Sequence, residues 1–366
     1  MTRRTMIAAI ALASVVVLGA LIYWFLLRKP PVLTAVTWSG PYGRAQASAL
    51  FIPYQQKQWV NVHIAEYDGG LDELRRQVAG KQYGWDVIDL ELPDAVAACR
   101  EGLLEPIDAA KLPAGENGEA ANADFVPNAV GPCWVGSVVY SQLIAYAPAR
   151  YGTAHPIALS DFFDTVRFPG PRALKSSAKF NLELALLADG VKPKDVYRVL
   201  SSAAGVDRAL KKLDTIRSSI VWWSRSSEPA AMLEDGRAAF ATILNGDVYD
   251  AAIHHRGLGA IWDGQLYELD VFGIPKGDPR RDMAMDFVQF ATAAPQLAGV
   301  ANWVPYGPAR RSALDLVGKN PELGIAMRRF LPTAPEHFAT AFAVDDAWWQ
   351  SHGAEIAARW QVWRDR

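Results

Sequence analysis

Aromatic and hydroxyl side chains occur together where a predicted strand turns into a predicted helix. The stretch TWSGPYG places Trp38, Ser39 and Tyr42 directly after the apolar run VLTAVTW, with Gly40 and Gly43 among them. An indole face stacks on planar or cationic groups, hydroxyls form hydrogen bonds, and glycines let the backbone approach closely. Ligands of open α/β sheets bind at the carboxyl ends of strands. The pattern therefore predicts ligand contact by these three side chains; the alternative is that Trp38 and Tyr42 only pack strand onto helix.

The two cysteines of the chain are Cys99 and Cys133. In an exported domain such a pair most often forms one disulfide, which would close a loop of about 35 residues and stabilise the fold by about 3 kcal/mol. Two separate buried thiols are the alternative. Neither cysteine stands beside a Gly-rich nucleophile turn, and the zinc-binding H-E-x-x-H and nucleotide-binding G-x-x-x-x-G-K-[ST] patterns are absent. The sequence thus predicts no catalytic residue, no metal and no other cofactor.

Length and charge restrict the class of protein. The chain has 366 residues, which is enough for two lobes with substantial cores. Its net charge is −2 and no long basic run occurs, so nucleic acid is not expected as a partner. Thirteen Trp and twelve Tyr are a high aromatic content, which suits either a core or a site that stacks on small ligands.

The N-terminal residues 1–30 form a separate unit. An apolar run extends from Met6 to Leu27, and a helix of that length rises about 33 Å, enough to cross a hydrocarbon core of about 30 Å. No small-x-small cleavage site follows it. The sequence predicts an uncleaved signal anchor, residues 6–27, that holds a periplasmic domain at the inner membrane. A cleaved signal is the alternative, and Arg3 and Arg4 loosely match a twin-arginine export signal.

From Pro31 onward, short apolar runs alternate with amphipathic stretches, which is typical of an α/β domain. The predicted strands are VLTAVTW, VNVHIAEY, WDVIDLE, SSIVWW, AAFATI and QLYELDVFGIP. The predicted helices include YGRAQASALFIPYQQKQ, LDELRRQVAGKQ, PDAVAACREG, DMAMDFVQFATA, PELGIAMRRFL and the Trp-rich tail DDAWWQSHGAEIAARWQVWRD. Glu91 and Asp94 follow the strand WDVIDLE and would add negative charge at the same edge of the sheet.

The order of motifs resembles the extracellular solute-binding proteins of ABC importers, nearest the branch that includes the spermidine/putrescine-binding proteins. The resemblance extends from Val32 to about Leu316. It is carried by TWSGPYG, EYDGGLDELRRQ, WDVIDLE, EGLLEPID, DFFDTVRFPGPRAL, LELALLADGV, IVWW, EPAAMLEDGRAAFATILNGDVYDA, YELDVFGIPKG and VPYGP. Each stretch is weak by itself, and together they are specific.

The resemblance implies a type II periplasmic-binding-protein fold, a clamshell of two α/β lobes joined by two crossing strands. The expected division is a membrane anchor or signal in 1–30, the first part of lobe 1 in 31–141, the first part of lobe 2 in 142–264, the second part of lobe 1 in 265–310, and C-terminal helices returning to lobe 2 in 311–366. A hinge of this kind lets contacts from both lobes close around a ligand.

The resemblance also implies further ligand-binding residues. Asp270 matches a carboxylate that pairs with an ammonium group, Tyr267 and Tyr306 match aromatic positions, and Tyr140 and Ser141 lie at the first crossover. The ligand set expected from the sequence is Trp38, Ser39, Tyr42, Glu91, Tyr140, Ser141, Tyr267, Asp270 and Tyr306. For Asp270 the alternative is a hinge-strand residue bonded to nearby backbone, and the aromatic residues have structural alternatives too.

The expected function is capture of a small polar solute, most simply a polyamine-like cation, and its delivery to ABC permease subunits in the inner membrane. Some positions depart from the polyamine pattern. Ser177 and Lys179 stand where polyamine binders place acids, and Glu268 stands where they often have Trp. Two alternatives remain open: a membrane-anchored ligand sensor on the same fold, and an enzyme of similar fold that uses Cys99 or Cys133.

Overall fold

The computed structural model describes residues 14–19, 23 and 29–366 of the chain. Within that part of the chain, no helix combines the length and the apolar character needed to cross a bilayer. The predicted anchor 6–27 lies mostly outside the described residues, so its role as a membrane anchor stays a prediction.

The described strands and helices alternate along most of the chain. The strands are β1 (Val32–Trp38), β2 (Asn61–Tyr67), β3 (Val87–Glu91), β4 (Val135–Tyr146), β5 (Arg172–Lys175), β6 (Ile220–Trp223), β7 (Phe240–Leu244), β8 (Gly259–Gly273), β9 (Gly307–Pro308) and β10 (Phe342–Ala343). The helices from residue 29 onward are α1 (Pro41–Gln46), which continues through a π-helical turn (Ala47–Phe51) into α2 (Ile52–Lys57), α3 (Asp72–Gly80), α4 (Leu92–Arg100), α5 (Ala121–Asp124), α6 (Leu159–Phe163), α7 (Asn181–Ala188), α8 (Val196–Leu200), α9 (Ala203–Asp214), α10 (Glu228–Glu234), α11 (Asn245–Ile253), α12 (Arg281–Ala291), α13 (Ala294–Trp303), α14 (Pro335–Phe338) and α15 (Asp346–Arg364).

Two long antiparallel strands connect two groups of parallel strands. The order of hydrogen-bonded neighbours is β2-β1-β3-β8-β4-β7-β5-β6, with β9 beside β4 and β10 beside β8. Strands β1, β2 and β3 are parallel to one another, and so are β5, β6 and β7. Strand β4 has 12 residues and β8 has 15, and both are antiparallel to the strands on either side of them in that order. These two strands are therefore the crossing connections.

The apolar cores lie on either side of this crossing. One core contains Val139 and Leu269 together with the strands β1 and β3, and defines lobe 1. A second contains Ile144 and Leu266 together with helices α7 and α9, and defines lobe 2. Helix α15 adds three buried indoles to the second core, those of Trp348, Trp360 and Trp363. The two-lobed α/β architecture expected from the resemblance is confirmed.

One predicted helix is wrong. The stretch PELGIAMRRFL forms turns, with only a short 3-10 segment at Arg328–Phe330. Asn320 accepts hydrogen bonds from the backbone N–H groups of Glu322 and Leu323, at 3.0 and 2.9 Å, and Gly324 has a φ of +67°. A side chain that caps its own turn competes with the helix, and a left-handed residue ends it.

The disulfide expected from the cysteine count is present. Cys99 at the end of α4 is bonded to Cys133 in the loop before β4, across a separation of 34 residues. Both cysteines of the chain are used in this bond, so the chain as folded offers no thiol for the cysteine-dependent alternative.

Removing the disulfide should lower the free energy of unfolding by about 3 kcal/mol, because the unfolded chain regains the freedom of that loop. The measurement is urea denaturation of the Cys99→Ser/Cys133→Ser variant, followed by circular dichroism. As a control, a reductant should destabilise the wild-type protein and leave the variant unchanged. Equal stability of the oxidised protein and the variant would contradict this prediction.

Candidate functional site

A cavity of about 710 Å³ opens between the two lobes. Strands β1, β3 and β7 all end at it, as expected of a ligand site at the carboxyl ends of parallel strands. Its walls also include the start of α1, the start of α11, the crossing strands β4 and β8, and the segment 303–306. Lobe 1, lobe 2 and the crossing strands therefore all contribute side chains to one space.

Seven of the nine residues predicted as ligand contacts line this cavity. They are Trp38, Ser39, Tyr42, Glu91, Tyr140, Asp270 and Tyr306. Four come from different elements of lobe 1, two from the crossing strands, and one from the loop after α13. The structure thus brings together side chains that are up to 268 positions apart in the sequence.

Ser141 and Tyr267 do not line the cavity. The Ser141 N–H donates to Asn245 Oδ1 at 2.9 Å, and the side chain of Ser141 is buried. Tyr267 is 4% exposed and packs against Phe338, with ring centroids 5.0 Å apart. Successive side chains of a strand point to opposite faces. Since Tyr140 of the same strand faces the cavity, Ser141 faces away from it.

The turn between β1 and α1 is tightly built. Gly40 has a φ of +81°, and a Cβ added to Gly43 would lie 2.2 Å from the carbonyl oxygen of Trp38. Glycine at these two positions lets the helix begin directly over the strand end. The indole of Trp38 lies against Tyr67 at 5.0 Å between ring centroids, and its Nε1 has no hydrogen-bond partner in the described part of the chain. Trp38 therefore both packs the turn and faces the cavity.

A buried network of polar side chains holds the Tyr42 hydroxyl in position. Gln46 Nε2 donates to Asp89 Oδ2 at 2.6 Å and to the Tyr42 hydroxyl at 2.9 Å, and Gln46 Oε1 accepts from Thr37 Oγ1. The Tyr42 hydroxyl also lies 2.9 Å from Ser137 Oγ. Burial raises the pKa of Asp89 to about 7, although its hydrogen bonds from Tyr42 and Gln46 oppose the shift.

Three tyrosines surround a buried carboxylate. The ring of Tyr306 contacts that of Tyr42 edge-on at 5.4 Å and lies 6.2 Å from that of Tyr140. Asp270 is only 6% exposed, and its Oδ1 has no hydrogen-bond partner among the residues described. Burial, followed by the negative charges of Asp89 and neighbouring acids, raises the pKa of Asp270 well above its usual range. An unpaired carboxylate in such a place is a strong acceptor for a cationic group.

The turn between β7 and α11 supplies residues that the sequence did not single out. Asn245 accepts the Ser141 N–H and donates to the Pro305 carbonyl at 2.6 Å, so it joins lobe 2 to a crossing strand and to the segment that carries Tyr306. Asp247 lines the cavity, and its buried Oδ2 has no partner within the described chain. Both Asp270 and Asp247 act electrostatically on the Tyr306 hydroxyl. The Asn-Gly-Asp sequence after a strand was the available signal.

The cavity is anionic. Its acidic lining residues are Glu91, Asp247, Asp250, Asp270 and Glu322, and among the residues that the structure describes Arg44 is the one basic residue on its wall. Arg44 is exposed in the last turn of α1 and has no ion-pair partner among the described residues. In the same part of the chain, no three His, Cys, Asp or Glu side chains are grouped to hold a metal ion. The arrangement suits an organic ligand with at least one ammonium group.

The stability of the ligand-free protein should fall as the pH rises from about 5 to about 8. Burial raises the pKa of Asp89 to about 7, so the folded state holds this proton more tightly than the unfolded state does. Stability from the protonated form is therefore lost as the pH rises through the folded-state pKa. One pKa unit corresponds to about 1.4 kcal/mol, and we expect a loss of roughly 2 kcal/mol.

Urea denaturation at the two pH values measures this loss, and Asp89→Asn should reduce it because the amide does not titrate. The control is Asp282→Asn, which changes a fully exposed carboxylate. An equal pH dependence in Asp89→Asn and the wild-type protein would show that Asp89 is ionised in the folded state throughout this range.

Comparisons with known proteins agree with a ligand-binding cleft. The family described as bacterial extracellular solute-binding protein matches residues 49–324. A gamma-aminobutyric acid (GABA)-binding protein of Pseudomonas aeruginosa is 34% identical over 334 residues, which is 91% of each chain. The solved structure of the Atu4243–GABA receptor is 29% identical, with a TM-score of 0.70 over 92% of this chain and 97% of that one.

A polyamine relative is more distant. The substrate-binding protein PotD of the spermidine/putrescine ABC transporter of Streptococcus pneumoniae is 14% identical, with a TM-score of 0.69 over 91% of this chain and 99% of that one. At that identity the likeness shows the fold alone. The family match covers three quarters of the chain, and the Pseudomonas relative covers almost all of it, so the resemblance drawn from the sequence is confirmed. The chain belongs to the bacterial extracellular solute-binding proteins, the substrate-binding components of ABC transporters.

Proposed function

We propose that this solute-binding protein captures a small aliphatic amine of the ω-amino acid type, with GABA as the first candidate. The observation that carries the proposal is Asp270, a buried carboxylate that lines the cavity with one oxygen unpaired. Two relatives named for GABA, at 34% and 29% identity, support it. The expected polyamine specificity is supported only by a neighbour of similar fold.

The ammonium end of the ligand pairs with Asp270. A carboxylate that is desolvated without a partner is costly, and an ammonium group restores both its charge balance and its hydrogen bond. The rings of Tyr42, Tyr140 and Tyr306 add electron-rich faces beside this position, which favour a cation. Asp247 lines the cavity from lobe 2. The ammonium group of the ligand therefore attracts carboxylates on both walls and favours closure of the cavity.

The carboxylate end of the ligand points toward Arg44. Within the described part of the chain, this guanidinium is the one basic group that lines the cavity, and the hydroxyls of Ser39 and Ser48 line it too. Arg binds carboxylates in a fork geometry that Lys does not offer. Arg44 is exposed, so it meets the ligand at the mouth of the cavity, while Asp270 meets it at the inner end.

Delivery to permease subunits completes the proposed function. The family is described as extracellular, which supports a periplasmic position for the folded domain. Closure of the lobes on the amine stabilises the liganded state, and that state docks on the permease. Co-purification with a permease after crosslinking distinguishes delivery from the alternative of ligand sensing without transport.

Isothermal titration of the full-length chain tests the ligand class. GABA should bind, while butyrate, which lacks the ammonium group, should not, and butylamine, which lacks the carboxylate, should bind more weakly. A ligand at 100 times its Kd should also add about 2.7 kcal/mol to the free energy of unfolding. Tighter binding of putrescine and spermidine than of GABA would favour the polyamine alternative. Asp247 supplies a second carboxylate, besides Asp270, that could pair with the second ammonium group of a polyamine. No binding of any amine would overturn the proposal.

A further inference from the structure

Strand β8 presents two carboxylates to the same side. Glu268 and Asp270 are two residues apart, so their side chains point to the same face, about 7 Å from each other along the strand. In the register with β4, Glu268 lies opposite Tyr140, and Asp270 lies opposite Val138. Tyr140 and Asp270 both line the cavity. Glu268 is not itself a lining residue, but it is paired with Tyr140 and acts electrostatically on both Tyr140 and Asp270, so it lies next to the cavity wall.

The two carboxylates differ in their partners. Asp270 Oδ1 has none among the described residues, whereas Glu268 Oε1 lies 2.6 Å from Lys179 Nζ. The same ammonium group lies 2.8 Å from Asp346 Oδ1 at the start of α15. The side chain of Lys179 is 30% exposed, that of Glu268 12% and that of Asp346 10%. Burial opposes the charge on Lys179, yet the two carboxylates raise its pKa above the usual range.

We propose that Lys179 is a specificity-determining residue, whose ammonium group fills the second cation position of the cavity and restricts it to ligands with one ammonium group. This inference deepens the proposed function and rests on it for the role of Asp270. Lys179 lies in the loop between β5 and α7 of lobe 2, so the protein itself supplies the charge that a diamine would bring.

The charge balance explains the effect. A diamine that placed one ammonium group on Asp270 would direct the other along β8 toward Glu268, where Lys179 repels it and occupies its acceptor. A ligand with a carboxylate at its other end faces the opposite situation. That carboxylate is directed toward Arg44, and Lys179, by neutralising Glu268, weakens the negative field that the carboxylate experiences in the cavity. Removing the Lys179 ammonium group should therefore strengthen the binding of diamines and weaken the binding of ligands that carry one ammonium and one carboxylate group.

A second lysine nearby provides a matched control. Lys175, the last residue of β5, lies over the rings of Phe180 and Trp223 at 5.6 and 5.8 Å. No ion pair joins it to Glu268 within the described chain. Lys175→Met therefore removes a cation from the same region without freeing a carboxylate.

The experiment is isothermal titration of the full-length Lys179→Met variant with putrescine and with GABA. We expect its Kd for putrescine to fall at least tenfold and its Kd for GABA to rise, while Lys175→Met leaves the ratio of the two as in the wild-type protein. In Lys179→Met/Glu268→Gln the gain for putrescine should disappear, because the freed carboxylate is gone. A folded Lys179→Met variant with an unchanged ratio overturns the inference.

A second variant covers the case in which Lys179→Met does not fold. Glu268→Gln keeps the lysine and removes one of its two carboxylates, so excess positive charge should weaken putrescine binding at least threefold and spare GABA. An unchanged putrescine affinity overturns the inference here as well. Failure of the proposed function has a different signature, since the wild-type protein would then bind neither GABA nor butylamine, whatever the Lys179 variants do with putrescine.

Discussion

The Asp270→Asn variant should bind GABA about 100-fold more weakly than the wild-type protein. An ammonium group that enters this buried position needs a negative partner, and removing one member of a buried ion pair costs about 3 kcal/mol or more. The same change should raise the stability of the ligand-free protein, because burial holds the pKa of Asp270 well above its usual range and the neutral amide avoids that cost. Isothermal titration and urea denaturation measure the two effects.

The combination of weaker binding and higher stability is specific to a carboxylate kept for a ligand. Asp282→Asn, which alters an exposed acid on α12, should change neither quantity by a measurable amount. Lower stability in Asp270→Asn would instead indicate that the carboxylate supports the fold. Unchanged GABA binding would exclude Asp270 as the ammonium partner.

Replacing Arg172 with Met should lower the free energy of unfolding by about 4 kcal/mol. Arg172 is fully buried at the start of β5, and its guanidinium lies 4.7 Å from the ring of Phe240. It donates hydrogen bonds to four backbone carbonyls at the end of α6 and in the loop that follows, those of Phe162, Asp164, Phe168 and Gly170. Met fills much of the volume but leaves these carbonyls without donors, and each unsatisfied buried group costs about 1–3 kcal/mol.

A variant of a neighbouring arginine is the control that separates the loss of these hydrogen bonds from the loss of a positive charge. Arg167 is 65% exposed at its side chain and pairs loosely with Asp161 at 3.6 Å. Arg167→Met should therefore cost less than 1 kcal/mol. Urea denaturation of both variants is the measurement, and equal losses would show that the carbonyls of the loop find other partners when Arg172 is removed.

Much of lobe 1 could be predicted because its strands are clear in the sequence. The runs VLTAVTW and WDVIDLE correspond to β1 and β3, and the turn after the first places Trp38 and Tyr42 on the cavity. The periodicity of the apolar residues and the Ser-Gly-Pro break are local signals, so no tertiary information was needed to find them.

Strand parity could have improved the prediction of the site. Tyr140 and Ser141 are adjacent in β4, so only one of them can face the cavity. Tyr267 and Asp270 are three positions apart in β8 and likewise face opposite sides. The neighbour that shares a face with Asp270 is Glu268, which departs from the polyamine pattern and was not predicted as a ligand contact.

The lobe 2 side of the site could not be predicted in the same way. Asp247 matters because its Oδ2 is buried without a hydrogen-bond partner in the described part of the chain. Lys179 matters because two acids distant in the sequence, Glu268 and Asp346, both pair with it. Both facts depend on contacts between segments that are far apart in the sequence. Single-sequence patterns give the type of an element and the residues on its faces, but not which charges end up unpaired.

The hydrogen bond from the Ser141 N–H to Asn245 provides a way to observe the opening of the cleft between the lobes. The donor belongs to a crossing strand and the acceptor to lobe 2, and Asn245 also holds the Pro305 carbonyl. The Ser141 amide proton can therefore reach solvent only when this three-way junction separates. The rate of deuterium exchange at this one amide should measure how often the cleft opens in the native, unlabelled protein. The exchange should slow when a bound ligand holds the two lobes closed.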